Sequence, residues 1–467
     1  MPQSLFKNIL LIFALALAAC SDRDAAMVEV DIDPQRRYQV VEGFGGFGAE
    51  KVWWDSEPFY TDEFVDLMIN DLGLTILRDN LPIGFEPVND NDDPLVIDYS
   101  GFNMSEDHPG ADSHLGEHIP YLRAMHEAGM EKLVVSVWSP PIWMKHNDHR
   151  GNGSDTKERR TSAPPYTYTP DETSNQLRAE LYEEFAEYCV AYIRVLKRET
   201  GIDLYAISLQ NEPRFSQFYA SAVYDPKSLV ELVKVVGRRF ERENIDTRIF
   251  MPEDVQSLDA VLSYINALVK DPEASRYTDI IATHNYRSDG IRPSDTSATN
   301  WRATLEVTKA HNKQLWMTET SGFEPNTIEG GMRLAKSIYN ALKYGEVSAW
   351  IYWQMGGKDF IDKSGNKTYL YDVSKQFYRH IPPDSVRVAA NSSHDDLLVV
   401  AFEKPNDNTQ AMVLINNGDR ELTVNLPELF FDSSAAVLTN AVYRYQAWSI
   451  GGGVVEVPPE SILSIDN

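Results

Sequence analysis

Two cysteines in 467 residues, Cys20 and Cys189, give the chain almost nothing from which to build a disulfide framework. Basic charge is also short: 43 Lys and Arg stand against 70 Asp and Glu, a formal net charge of −27. That balance argues against nucleic acid and against polyanionic glycans as partners. No apolar run reaches the roughly 20 residues a bilayer-crossing helix needs. A glycine-rich phosphate turn is missing too, since Gly43-Phe-Gly-Gly-Phe-Gly48 is a poor match to the dinucleotide fingerprint. His108, His114, His118 and His126 fall close together, but without the His-Glu-x-x-His arrangement of zinc hydrolases, so neither a catalytic metal nor a cofactor is expected. The acidic run Asn89–Asp93 lacks the alternation of an EF-hand calcium loop and reads as solvated.

What is present begins at the N-terminus. Lys7 precedes the short apolar run Ile9–Ala19, which ends in Leu17-Ala-Ala-Cys20. This looks like a lipoprotein signal, with residues 1–19 removed and Cys20 lipidated. Ser21, rather than Asp, follows the cysteine, which favours an outer-membrane address, periplasmic or surface-facing. Membrane attachment is then expected only through lipid, and a monomer is expected. Cys189, which lies in the pattern of a long amphipathic helix, reads as a buried apolar residue.

From 41 to 382 short apolar runs alternate with helical patterns. Strands are expected at Gly43–Ala49, Thr75–Asp79, Lys132–Trp138, Leu204–Asn211, Arg248–Pro252, Asp279–Asn285, Gln314–Thr318 and Ser348–Gln354. Several are near-continuously apolar, as strands buried on both faces should be. Eight strand-then-helix units predict an α/β fold, a (β/α)8 TIM barrel. Two long loops, Pro82–Ser113 and His146–Ser174, would rise from its C-terminal face. Over 383–467 the texture changes to alternating runs such as Leu397–Phe402, Ala411–Ile415, Glu421–Leu426, Ala441–Tyr445 and Val454–Val457, split by turn residues. These predict an accessory antiparallel β-sandwich, to which the strand-like Val28–Val40 within the 20–40 segment would contribute.

Two carboxylates stand out by position. Glu212 follows the fourth strand-like run and Glu319 the seventh, which would bring both to the barrel mouth, where catalytic groups gather from different strands. Cleaving an acetal needs such a pair: one acid to protonate the leaving oxygen and one carboxylate to meet the oxocarbenium-like carbon. The 9 Trp, 23 Tyr and 19 Phe suit either a large core or stacking platforms for sugar rings.

The motifs around these residues narrow the field. Ser208-Leu-Gln-Asn-Glu-Pro213 looks like the acid/base motif of clan A glycosidases. Trp138-Ser-Pro-Pro-Ile-Trp-Met-Lys145, Trp316-Met-Thr-Glu319, Ala349-Trp-Ile-Tyr-Trp-Gln354, Gly43-Phe-Gly-Gly46 and Val457-Pro-Pro-Glu-Ser461 resemble glycoside hydrolase family 30, in order along nearly the whole mature chain. The resemblance implies a retaining hydrolase of β-linked oligo- or polysaccharide, with Glu212 as acid/base and Glu319 as nucleophile. It implies that Asn211 contacts the sugar 2-hydroxyl, that Arg78 and Tyr286 reach the nucleophile, and that Trp138 and Trp353 shape the sugar floor. His284, on the sixth strand beside Tyr286, reads as a hydrogen-bonding sugar contact. Family members act on β-1,6-glucans, xylans, β-1,6-galactans, glucosylceramides and short β-glycosides. Met355–Asp362, with one lysine and two acids, argues mildly against a glucuronate requirement, and the Trp138–Lys145 wording leans to β-1,6-glucan. The alternative of another class is a non-catalytic, glycan-binding surface lipoprotein.

Overall fold

The computed structural model describes residues 27–48, 61–103, 115–153, 174–254, 258–286, 297–404, 410–430 and 435–467. The signal-like segment with Cys20, together with His108 and His114, lies outside them.

Eight parallel strands close into a barrel: β2 (Gly43–Phe47), β3 (Ile76–Asn80), β4 (Lys132–Ser136), β5 (Leu204–Ser208), β6 (Arg248–Asp254), β7 (Thr278–His284), β8 (Gln314–Glu319) and β9 (Ala349–Tyr352). Closure is made by β9 pairing with β2, Gly43 opposite Ala349 through Gly46 opposite Tyr352. Side-chain alternation divides each strand between two cores. Ile76, Val134, Ala206, Phe250, Ile280, Trp316 and Ile351 fill the barrel interior. Their neighbours Leu77, Val135, Ile207, Met251, Ile281, Met317 and Trp350 pack outward under the helices.

The helices start and stop where local chemistry dictates. Pro226–Glu243 opens on Asp225, whose carboxylate accepts from Ser228 N–H, with Pro226 in the first turn, where its missing N–H costs nothing. Tyr182–Thr200 ends at Gly201 with φ +76°, a left-handed C-cap. Cys189 lies fully buried on this helix.

The remaining strands are β1 (Val28–Val40), β10 (Val386–Ser392), β11 (Leu397–Glu403), β12 (Gln410–Asn416), β13 (Leu422–Asn425), β14 (Ala435–Thr439), β15 (Gln446–Trp448), β16 (Val454–Val457) and β17 (Ser461–Asp466). They form a second sheet in the order β15-β14-β17-β12-β11-β10-β1-β13-β16. The N-terminal strand therefore joins the C-terminal sheet, antiparallel to β10 and parallel to β13. The β1–β13 pair is an exception to the expected antiparallel pattern. A second correction concerns Ala441–Tyr445, which forms bends, the strand beginning at Gln446. Asn440 explains it: its Oδ1 accepts from Val442 and Tyr443 N–H and folds the backbone back on itself. One face of β11 and β12 (Val399, Ala401, Met412, Leu414) builds the sandwich core, while the other (Val400, Phe402, Val413, Ile415) is buried against the barrel.

Candidate active site

Strand geometry aims the site residues. Ile76 points into the barrel, so Arg78, two residues on, points the same way one layer nearer the C-terminal mouth. The same parity carries β7 from Ala282 to His284. Two strands break parity. Between β7 and β8 the register jumps from Thr283–Met317 to His284–Glu319, an extra residue on β8 that turns Glu319 inward. Between β6 and β7 it jumps from Pro252–Ala282 to Asp254–Thr283, so Glu253 is the extra residue, at φ +55°. Glu212 lies beyond the end of β5, which stops at Ser208 rather than running to Asn211. A loop positions it, with Glu212 N–H donating to the Glu253 carbonyl at 3.0 Å, Asn211 N–H to the Val137 carbonyl at 2.7 Å, and φ +51° at Glu212 itself.

The structure brings the expected side chains together. Arg78, fully buried, donates to Glu319 Oε2 at 2.5 Å and to Asn211 Oδ1 at 2.8 Å, and reaches Glu253 Oε1 at 2.7 Å. Tyr286 donates to the other oxygen of Glu319 at 2.6 Å. His284 Nδ1 sits 3.0 Å from Glu212 Oε1, and its Nε2 3.5 Å from Glu253 Oε1. Ligand atoms of Glu212, His284 and Glu319 lie within 4.8 Å of one another, so the two glutamates face each other across the mouth. That trio is the one group among the described residues with the spacing to hold a metal. Both oxygens of Glu319 are already committed, one of them to a guanidinium, which disfavours a cation there.

An aromatic wall flanks the carboxylates. Phe47 stacks on Trp353 at 4.2 Å between centroids, and Trp138 lies 5.4 Å from Phe47 and 5.7 Å from Trp353. Ile83 and Ala220 complete the cluster, and Trp353 is only partly buried. The Arg78 guanidinium lies 4.8 Å from the Trp138 ring. Lys145, wholly buried, donates to Ser139 Oγ and to the carbonyls of Arg150 and Ser221, tying together loops after β4 and β5. Burial without a counter-charge holds its ammonium well below the ordinary lysine range.

Opposite charges meet in this dry pocket. Burial opposes the positive charges of Arg78 and His284, but the facing carboxylates prevail: Arg78 is raised further, by Glu253 and Glu319. His284 is pushed up to about 10, chiefly by Glu319 and the hydrogen bonds to Glu212 and Glu253. Glu253 is buried, which opposes its charge, but Arg78, His284 and a hydrogen bond with Ser208 together hold it below the usual carboxylate range. Glu212 goes the other way. Burial raises it, the negative Glu319 adds to the rise, and His284 only partly offsets it. Two basic groups, Arg78 and His284, thus face three carboxylates, Glu212, Glu253 and Glu319, within one buried site.

Glu253 is the residue that sequence reading missed. The expected strand stopped at Pro252, and no alternation pattern registers a bulge residue. His284 also differs from expectation: both ring nitrogens face carboxylates, so it acts within the protein rather than first on a sugar. His118, from the histidine group, is spent on Asp79 at 2.7 Å.

Residues 384–465 match the description of the glycosyl hydrolase family 30 beta sandwich domain. Glucuronoxylanase XynC of Bacillus subtilis is 25% identical over 309 residues, covering 61% of this chain and 63% of the relative. Lysosomal acid glucosylceramidase of Mus musculus is 24% identical over 335 residues, covering 64% and 59%. The chain thus spans less than two thirds of these curated relatives. Among solved structures, a family 30 endoxylanase from Clostridium papyrosolvens C71 superposes with a TM-score of 0.72 at 23% identity, covering 95% of this chain and all of that one. The endo-beta1,6-glucanase BT3312 does so with a TM-score of 0.65 at 19% identity, covering 96% and 95%. Residues 384–465 thus match the family 30 beta sandwich domain, and the closed parallel barrel with a sandwich completed by the N-terminal strand is the fold of these solved structures.

Proposed function

We propose that the protein is a retaining β-glycoside hydrolase in which Glu319 attacks the anomeric carbon and Glu212 protonates the leaving oxygen. The observation that carries the reading is that one carboxylate oxygen of Glu212 and one of Glu319 lie within 4.8 Å of each other, which fits the roughly 5–5.5 Å carboxyl separation of retaining enzymes better than the roughly 6.5–9.5 Å of inverting ones. Their surroundings assign the roles. Glu319 accepts from Arg78 and Tyr286 and faces the reaction as an anion. Glu212 is raised above the usual carboxylate range, by burial first and then by Glu319, as an acid requires, and its Oε1 faces His284 Nδ1. Because the Glu319 charge helps to raise Glu212, forming the glycosyl ester at Glu319 removes that support. Glu212 then loses its proton readily to the leaving group and returns as the base that activates water. Asn211 Oδ1 is taken by Arg78, which turns its NH2 into the end able to donate to a sugar 2-hydroxyl.

The substrate read here is a neutral β-linked glycan, β-1,6-glucan ahead of xylan, galactan or short glucosides. The net charge of −27 disfavours acidic chains, and in the segment after β9 Asp359 is buried on Tyr352 rather than offering a basic clamp. We also propose lipidation at Cys20 and an outer-membrane location. Cys20→Ala is then expected to move the protein from the membrane to the soluble fraction.

The catalytic assignment is tested by kinetics on a panel of β-glycans. Glu319→Gln is expected to abolish turnover. Glu212→Gln is expected to lose about 10²–10⁴-fold on natural glycans, and far less on aryl glycosides whose leaving group needs no proton. Unchanged hydrolysis by Glu319→Gln refutes the assignment.

A further inference from the structure

The loop after β3 and the helix Tyr182–Thr200 enclose a second, unrelated concentration of carboxylates. Glu86 and Glu187 are each 1% exposed and Glu184 is 8% exposed. Both carboxylate oxygens of Glu86, both of Glu187, Oε2 of Glu184, Oδ1 of Asp90 and the amide Oδ1 of Asn89 are buried with no hydrogen-bond partner. These are seven oxygens from two separate elements, and all that faces them is the Asp90 N–H, which acts loosely on Glu86, and the contact that Glu184 and Glu187 make with each other. The acidic run is therefore not simply solvated: Asp92 and Asp93 are exposed, while Asn89 and Asp90 turn oxygens inward.

Such a group cannot persist as bare anions, because burying an unpaired carboxylate is far costlier than burying a paired one. Protein cations do not neutralise it. Arg239, the guanidinium that acts on Glu187, gives its Nε to Glu243 at 2.6 Å and its Nη1 to the Pro94 carbonyl, while its Nη2 meets no acceptor. Burial, with Asp90 next in weight, pushes Glu86 up to about 9 and Glu187 up to about 8. A hard divalent cation supplies the missing charge, and an all-oxygen set rich in carboxylate suits calcium, which takes six to eight oxygens in flexible geometry.

We propose that Glu86, Asp90, Glu184 and Glu187, with the Asn89 amide oxygen, bind one calcium ion that ties the loop after β3 to the helix Tyr182–Thr200. Among the described residues only Glu212, His284 and Glu319 already hold three ligand atoms within 4.8 Å, so seating the ion draws the 86–98 loop a short way toward the helix. The loop has a handle on the active site. Ile83 belongs to the aromatic cluster, and the Glu86 carbonyl accepts from Trp143 Nε1 at 3.1 Å. The ion orders this wall of the barrel mouth without touching the reacting atoms, and the inference stands apart from the glycosidase reading.

The test is calorimetric titration of CaCl2, and separately MgCl2, into chelator-treated full-length protein at about pH 8, with thermal unfolding followed in parallel. One calcium per chain is expected, with Kd between about 10⁻⁶ and 10⁻³ M, a raised unfolding midpoint and markedly weaker magnesium binding. Glu86→Gln and Glu187→Gln are each expected to weaken calcium at least tenfold, while Glu421→Gln, on an exposed sandwich acid, leaves it intact. Absence of calcium heat and of a midpoint shift in the wild type overturns the proposal, and that result needs no variant to fold. Equal affinity for magnesium, or undiminished calcium binding in both glutamine variants, overturns it as well.

Discussion

At the residue scale the account turns on which groups hold charge. Glu253 touches no substrate in this scheme, yet it faces both Arg78 and His284 from a fully buried position. Glu253→Gln keeps the shape and removes the charge. It is expected to cost roughly 3 kcal/mol of stability as a broken buried ion pair and up to about 10²-fold in kcat through misplaced Arg78 and His284. A merely structural residue would leave the pH profile of kcat/KM in place, whereas this variant shifts it; Glu253→Asp is expected to restore part of the shift. His284 gives a second prediction. Its folded-state pKa of about 10 lies above the ordinary 6.5, so its contribution to stability is complete below about pH 6.5 and is lost as pH climbs to about 10. The difference in unfolding free energy between wild type and His284→Gln should therefore be largest in mild acid and shrink steadily into alkali. A difference that grows with pH would contradict the assigned ionisation. Of these residues, Glu212 and Glu319 were legible from the sequence because each follows or ends a recognisable strand, whereas Arg78 and Tyr286 entered through the family resemblance. Glu253 was not, since a bulge shows only when two strands are laid side by side.

At the element scale, β2 is built from glycine because its neighbour leaves no room. A Cβ on Gly45 would lie 2.3 Å from the carbonyl oxygen of Ile76, which belongs to the adjacent strand and cannot swing aside. Gly45→Ala is expected to lose about 1–3 kcal/mol by overpacking, read from urea unfolding. Gly451→Ala, where the added carbon meets nothing within 4 Å, should stay within about 0.5 kcal/mol. Equal stabilities would mean that the barrel seam is looser than described. The eight barrel strands could be read from their apolar runs because both faces are buried. In the sandwich, β10, β14 and β17 escaped notice. Val386–Ser392 and Ser461–Asp466 carry polar residues buried by the barrel contact, including Ser464, whose hydroxyl donates to the Gln376 carbonyl. A polar residue that docks on a neighbour looks, in sequence, like one that faces water.

At the scale of the whole molecule, barrel and sandwich share one core, with Val400, Phe402, Val413, Ile415 and Ile462 reaching from the second sheet into the helical layer. Arg444 pairs with Asp372 and His380 with Asp466 across the same junction. Phe402→Ala is expected to cost about 3–5 kcal/mol and to lower a single shared unfolding transition. Two separate transitions, with only the sandwich affected, would show that the units fold independently. This junction was beyond sequence reading, because alternation tells which strands have two buried faces but not what covers each.

The central claim is that Glu212 and Glu319 act by double displacement, and the anomer first released decides it. Proton NMR of the earliest product from a β-linked glycan, recorded before mutarotation, should show the β-anomer. Initial appearance of the α-anomer would mean a single inverting attack by water and would contradict the account.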